Sequence, residues 1–239
     1  MSDGREPTTV NVLGSITEVG AEEWDACAGA DHPFCSYGFL SALEDSGTAT
    51  AETGWLARHL VVRDEDGRLV ASAPLYLKTH SYGEYVFDWG WADAFERAGG
   101  RYYPKLQCAV PFTPVTGPRL LVRPDLPQPL RDELRTALMQ AMVTLAERLG
   151  VSSLHVTFPT EDEWERLGGH GFLQRTGQQF HWKNRDYRDF DGFLADLASR
   201  KRKTIRKERA AVAAHGFDIK ALSGGDITEA HWDAFYHFY

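Results

Sequence analysis

The sequence predicts a mixed α/β (α+β) protein in which a largely antiparallel sheet is flanked by helices. Three observations carry this. The chain has 239 residues with 43% apolar and 12% aromatic side chains, enough to bury a sizeable core without disulfide or metal staples. Short runs of strand length alternate with longer segments of helical period. Two of those runs are joined by an Asp-Gly turn signal, the mark of an antiparallel hairpin.

In chain order, residues 1–9 form a polar leader without the apolar stretch of an export signal. Val10, Val12 and Ile16 suggest a first strand, and Ala21 to Ala28 and Tyr37 to Asp45 two short helices. Leu60 to Arg63 and Leu69 to Leu77 are apolar runs joined by Asp64-Glu65-Asp66-Gly67, whose Asp-Gly pair suits a turn needing positive φ. Glu84 to Trp89 reads as a strand and Trp91 to Ala98 as a helix that stops at Gly99-Gly100. Tyr102 to Pro118 holds Pro104, Pro111, Pro114 and Pro118, so it cannot be a central strand throughout and is expected to line a surface or cleft. Pro129 to Leu149 is the clearest helix. Leu130, Leu134, Leu138, Met142, Leu145 and Leu149 mark its apolar face, Asp132 and Glu133 are placed in its first turn, and Gly150 ends it.

Val151 to Phe158 follows as a strand, Glu161 to Leu167 as a helix and Gln178 to Lys183 as a strand of alternating character. Asp191 to Ala198 and Ser199 to Ala214 read as helices, Phe217 to Leu222 as a strand and Thr228 to Tyr239 as a helix. That last helix carries Trp232, Phe235, Tyr236 and Tyr239 at i, i+3, i+4 and i+7 and reaches the final residue with no stop signal, so either the chain is a piece of a longer protein or those aromatics dock on the rest of this one.

The formal charge of −8 argues against general coating of nucleic acid but leaves room for a local patch. Positions 200–209 hold seven of the 26 basic residues. At 100° per residue, Leu194, Leu197, Ala198, Ile205 and Val212 fall on one arc, with Arg200, Arg202, Lys203, Arg206, Lys207 and Arg209 on the other. Lys201 lies in the apolar arc, which predicts a break with Ser199 as N-cap of the second half. Arg200, Lys201 and Arg202 would then crowd the positive end of a helix dipole, where a bound phosphate or carboxylate would relieve them; a solvated face is the other reading.

Cys27, Cys35 and Cys108 have neither paired nor metal-type spacing, which fits a reducing, cytoplasmic setting. No apolar run is long enough for a membrane span. The nine histidines form no HExxH, and His231 and His237 do not share a helical face, so no metal site is expected. GxGxxG, GxxxxGK[ST] and GxSxG are absent.

Two stretches place polar groups where chemistry could use them. Thr113-Pro114-Val115-Thr116-Gly117-Pro118-Arg119 puts hydroxyls, a glycine and an arginine in a loop before the long helix, either to hold phosphate oxygens or as a proline-fixed turn with Arg119 exposed. Phe87-Asp88-Trp89-Gly90-Trp91 and His181-Trp182 set polar groups among large aromatics, as do Tyr102 and Tyr103 beside Lys105. These are either core and rim residues or groups whose partial burial lets Asp88 or His181 act as a general base.

The stretches FDWGWADAF (87–95), YYPKLQCAVPFTPVTGPRLL (102–121), LHVTF (154–158), GQQFHWKN (177–184) and FLADLASRKRKTIRKER (193–209) closely resemble the FemAB-like family of peptidoglycan biosynthesis or recognition proteins. The resemblance implies a GNAT-like domain over residues 10–186 and the start of a second GNAT-like domain over 187–239, against which the remainder of that domain would pack. It implies an acyl or aminoacyl transferase acting on an amine acceptor such as a peptidoglycan precursor, with acetyl-CoA or aminoacyl-tRNA as donor. The alternative is a non-catalytic recognition module for an anionic cell-wall precursor or RNA. In the transferase reading, backbone N–H groups of a splayed strand polarise the carbonyl and Asp88 or His181 moves the proton. Lys105, Thr113, Thr116, Gly117 and Arg119 would hold donor phosphates. Trp89, Tyr103, Arg200, Arg202, Lys203 and Arg206 would hold the acceptor or tRNA. The sequence departs from the pattern in two places: the GNAT pyrophosphate loop R-x-x-G-x-G/A is absent, and Arg119 follows Gly117-Pro118 where Fem-type enzymes place the arginine before Gly-Pro.

Overall fold

The computed structural model describes residues 8–86 and 88–239. They form two compact units, one ending at Thr176 and the other running from Gly177 to Tyr239. The expected leader falls outside the described residues up to position 7, as does Phe87.

The first unit is built on a long hairpin whose two arms each change sheet once. The outgoing arm is β2 (Trp55–Ala57) and β3 (His59–Arg63), and the returning arm is β4 (Leu69–Ala73) and β5 (Leu75–Lys78). Between β4 and β5 stands Pro74, which has no N–H to give the ladder. One sheet has the order β1-β3-β4-β7, with β1 (Val10–Leu13) and β7 (Leu121–Val122) at its edges and every pairing antiparallel. The other has the order β2-β5-β6-β8, where β6 (Lys105–Cys108) and β8 (Leu154–Val156) form a parallel pair. The α/β class with a mixed, largely antiparallel sheet is therefore as the sequence predicts. Lys105–Cys108 is nevertheless an interior strand: the prolines flank this four-residue piece and do not interrupt it.

Helices cover both faces of the β1-containing sheet. On β3, Leu60 and Val62 belong to the cluster formed with α4 (Gln128–Leu149), whereas Val61 joins the cluster with α1 (Ala21–Ala28) and α2 (Tyr37–Asp45). This is the period-two alternation of a strand buried on both sides. Leu134, Leu138, Met139 and Met142 of α4 are buried, each worth roughly 2–3 kcal/mol of apolar transfer. Gly150 ends the helix at φ 60°, a left-handed cap that glycine adopts without a Cβ clash. Asp132, expected in the first turn, stands in the second and accepts from the Gln128 amide at 3.0 Å. On the opposite face Trp24 is fully buried and its indole N–H donates to the Cys35 carbonyl at 2.9 Å.

Among the described residues three expected strands are absent. Glu84–Val86 and Asp88–Trp89 form no strand because Glu84 turns inward to Lys105 and Trp89 already opens α3 (Trp89–Arg97). Gln178–Lys183 and Phe217–Leu222 run without regular structure and exposed, with no neighbouring strand to complete a ladder. The helix expected at Glu161–Leu167 is α5 (Glu161–Gly169).

The second unit contains α6 (Phe190–Asp196), α7 (Ser199–Ala214) and α8 (Glu229–Phe238). The break predicted between α6 and α7 falls at Leu197 and Ala198, both extended. The N-cap of α7 is Ala198 and not Ser199, which is already helical, so no side chain caps that end. Among the described residues no helix is long and apolar enough to cross a membrane.

Candidate functional site

The densest cluster of buried charge lies where β5 ends and β6 begins. Lys78 and Lys105 are direct cross-strand partners, which puts both side chains on one face of the sheet. Both are fully buried. Two like charges at opposed positions repel, so the pair survives only with internal counter-charge. Lys105 Nζ donates to Asp88 Oδ2 at 2.6 Å, Glu84 Oε2 at 2.7 Å and Ser81 Oγ at 3.0 Å. Tyr102 Oη donates to Asp88 Oδ2 at 2.8 Å, and Tyr103 Oη shares a hydrogen bond with Ser81 Oγ. Lys78 has no carboxylate at this range: its Nζ donates to the Tyr82 carbonyl at 3.2 Å and sits 3.4 Å from the centroid of the Trp55 ring.

These surroundings separate the protonation states. Burial pulls the Lys78 amine down to about 7, with Glu84 resisting and Lys105 reinforcing the shift. Burial pushes Glu84 above the usual carboxylate range against the pull of Lys105. For Asp88, burial works upward, but the hydrogen bond from Lys105 and its companions hold the group below its ordinary value. His155 on β8, hydrogen-bonded to Ser153 Oγ, is driven by burial to about 4 and is therefore neutral at physiological pH.

The Lys78 shift has a direct consequence. Its folded value lies below the 10.5 of an unperturbed lysine, so the unfolded chain binds more protons between about pH 7 and about pH 10 and stability rises with pH across that window. Lys78→Met abolishes this slope. Urea unfolding near pH 6 and near pH 10 should show the variant's advantage over the parent protein shrinking as pH rises; parallel behaviour of the two would contradict a desolvated amine.

The other expected site residues are placed differently from one another. Arg119 is buried and faces inward: Nε donates to the Thr157 carbonyl at 2.9 Å, Nη2 to Val115 at 2.9 Å and Nη1 to Pro118 at 3.0 Å. Its backbone N–H and that of Leu120 both donate to the Glu163 carboxylate. The guanidinium thus joins the 109–119 loop to the end of β8 and is not exposed. Lys105 is likewise enclosed by its own carboxylates. Thr113 bonds back to the Pro111 carbonyl, Gly117 N–H donates to Phe158, and Thr116 is exposed. Trp89 is exposed at the start of α3.

His181 belongs to the second unit, exposed and hydrogen-bonded to Gln179. In that unit α7 packs on α6 through three of its basic side chains: Arg202 Nη1 donates to Ala195 O at 3.1 Å, Arg206 pairs with Asp191 at 3.6 Å and Arg209 lies over the Phe190 ring. Arg200 and Lys203 are exposed. The first unit also has two surface hollows along α4, of about 490 and 940 Å³, and neither is lined by an expected site residue.

Sequence reasoning chose Asp88, Lys105 and Tyr103 but missed Lys78, Glu84, Glu163 and His155. One usable signal was Lys78 itself, a charge closing the apolar run Leu75-Tyr76-Leu77. Its partner across the ladder is invisible until the β5–β6 register is known.

Fold and cluster together define a mixed α/β protein with a buried lysine–carboxylate centre. The chain matches the FemAB-like family, described as peptidoglycan biosynthesis/recognition, over residues 15–239. It belongs to that family. No curated protein shows significant similarity to it. Solved structures similar to it include an acetyltransferase of Trypanosoma brucei, at 15% identity and TM-score 0.44, covering 74% of this chain and 100% of that one. An aminoglycoside 6'-N-acetyltransferase of Acinetobacter baumannii matches at 15% identity and TM-score 0.41, covering 74% and 99%. AtaT in complex with acetyl-methionyl-tRNA matches at 12% identity and TM-score 0.39, covering 72% and 91%.

Proposed function

We propose that this protein transfers an acyl or aminoacyl group to an amine acceptor, with a peptidoglycan precursor as the acceptor class and a cytoplasmic setting. The observation that carries this reading is the family match over residues 15–239. The donor is acetyl-CoA or an aminoacyl-tRNA, and no metal takes part. Attack of the acceptor nitrogen on the donor carbonyl forms the amide and releases the thiol of coenzyme A or the ribose hydroxyl of tRNA. The nitrogen's proton passes to a base, for which Asp88 and His181 are the candidates. Asp88 is the weaker of the two as placed, because a carboxylate locked to Lys105 at 2.6 Å gains little from taking a proton. Arg200, Arg202, Lys203 and Arg206 offer positive charge for an anionic acceptor or tRNA, and Trp89 and Tyr103 offer aromatic surface. Lys105, Thr113, Thr116, Gly117 and Arg119 are retained as donor contacts only in a form of the site that releases the internal bonds described above.

A specific observation supports the recognition reading as well. Lys105 and Arg119, the two cations assigned to the donor, are fully buried and bonded within the protein. One experiment separates the readings. The protein is incubated with a muramyl pentapeptide precursor and either labelled acetyl-CoA or labelled aminoacyl-tRNA, and the precursor is analysed by mass spectrometry. Label on the precursor amine is expected from one donor. If tRNA is that donor, its affinity will fall steeply with salt. Precursor binding without label from either donor would instead establish recognition.

A further inference from the structure

β1 lies at one side of its sheet with an open backbone edge. Its pairing with β3 is regular from Val10↔Val62 to Leu13↔His59, and among the described residues no strand lies on its other side. Every second residue of such a strand turns its N–H and C=O outward, a template on which another chain can pair. Proteins that stay apart blunt the template with a charge, a proline or a bulge. Residues 8–13, Thr-Thr-Val-Asn-Val-Leu, hold no charge and no proline, and the β1–β3 register has no bulge. Asn11 and Val12 are exposed, Val12 to 44%.

The two faces of this edge differ. Val10 and Val12 stand opposite Val62 and Leu60 on the α4 side of the sheet, and both line the hollow of about 940 Å³ between β1 and α4. Asn11 stands opposite Val61 and so lies on the α1–α2 side. Along the helical wall of the hollow α4 is uncharged from Thr136 through Thr144, with Glu133 toward one end and Arg148 at the other.

We propose that β1 is the contact between two copies of this chain, which pair antiparallel about a two-fold axis at Asn11 and join their four-stranded sheets into one. Val-Asn-Val reads the same in both directions, so an axis perpendicular to the sheet at Asn11 sets Val10 of one copy against Val12 of the other and the two Asn11 side chains against each other. Each face of the sheet stays on its own side. The valines extend the apolar floor of the joined hollows, and the two carboxamides, each both donor and acceptor, hydrogen-bond across the axis. The α4 helices of the two copies run antiparallel on either side of those hollows. The Glu133 end of one then lies toward the Arg148 end of the other, and no like charges meet between them. Pairing of this kind is measured without turnover and is independent of the transfer reaction.

Sedimentation velocity over a range of concentrations tests the contact. The parent protein is expected to form dimers with a Kd on the order of 10 μM, as suits a short strand contact. Amide exchange at residues 10–13 should slow as the protein is concentrated. Asn11→Asp and Asn11→Lys each set like charges about 5 Å apart across the axis and should weaken pairing by about thirtyfold. Mixed in equal amounts, the two variants bring opposite charges together there and should pair at least as well as the parent protein. Asn11 is exposed, so both variants should keep the parent's urea midpoint in dilute solution, which separates lost pairing from lost folding. A parent protein that is still monomeric at about 0.1 mM would overturn the proposal. So would a dimer that both variants retain, because it would place the contact elsewhere, for instance on the exposed aromatic residues of α8.

Discussion

Lys105→Met is expected to lower the unfolding free energy at neutral pH by about 4 kcal/mol, because it leaves two carboxylates buried with no cation bonded to them. Glu84 and Asp88 both bond Lys105 Nζ, and all three side chains are fully out of solvent. The loss therefore comes less from the missing attraction than from the stranded charges. Two further expectations follow from that cause. Neutralising the same carboxylates in the triple variant Lys105→Met, Glu84→Gln, Asp88→Asn should recover most of the loss, since polar amides replace uncompensated charge. The single variant should also close part of its gap to the parent protein as pH falls. In the parent, Asp88 has a lowered folded pKa, so its contribution is present above its unfolded value and is lost as pH falls through the folded one. In the variant both carboxylates have raised folded values and gain protons on acidification, so the slope reverses. Urea unfolding of the three proteins near pH 5 and near pH 7.5 tests this; equal stability of the single and triple variants would show that the carboxylates are solvated.

How far the sequence reveals this centre depends on range. α4 was legible because its apolar face repeats within the helix itself, and the β3–β4 hairpin because Asp66-Gly67 specifies its turn. The break before α7 was legible because Lys201 contradicts a continuous apolar arc. Gln178–Lys183 and Phe217–Leu222 show the limit of such local signals. Phe180, Trp182, Phe217 and Ile219 alternate as a half-buried strand would, yet all are 68–87% exposed. Alternation describes what a strand presents to a neighbour and does not supply the neighbour. The site follows the same rule. Asp88 and Lys105 stand out as polar groups among aromatics, but their bond to each other closes a 17-residue loop, and Lys78 joins them only through the β5–β6 register. Arg119 could be noticed but not aimed, because the loop that turns it inward is fixed by Glu163, 44 residues away on α5.

Arg119→Met should cost about 3 kcal/mol of stability, the sum expected for loss of a charged group's hydrogen bonds to buried carbonyls. The guanidinium is flat and rigid, with Nε on Thr157 O and Nη2 on Val115 O, so it spans the end of β8 and the 109–119 loop in one plane. An ammonium cannot reproduce that span, so Arg119→Lys should recover less than half of the loss although it keeps the charge. The backbone clamp from Arg119 and Leu120 N–H to Glu163 is untouched by either change, which keeps the loop attached and the variants folded. A donor-binding arginine makes the opposite prediction: nearly unchanged unfolding, with the affinity for acetyl-CoA or tRNA sharply reduced. Thermal unfolding and donor titration on the same two variants therefore assign the residue. A fall in stability with donor affinity preserved identifies Arg119 as the clamp that shapes the loop, and the reverse result returns it to the donor.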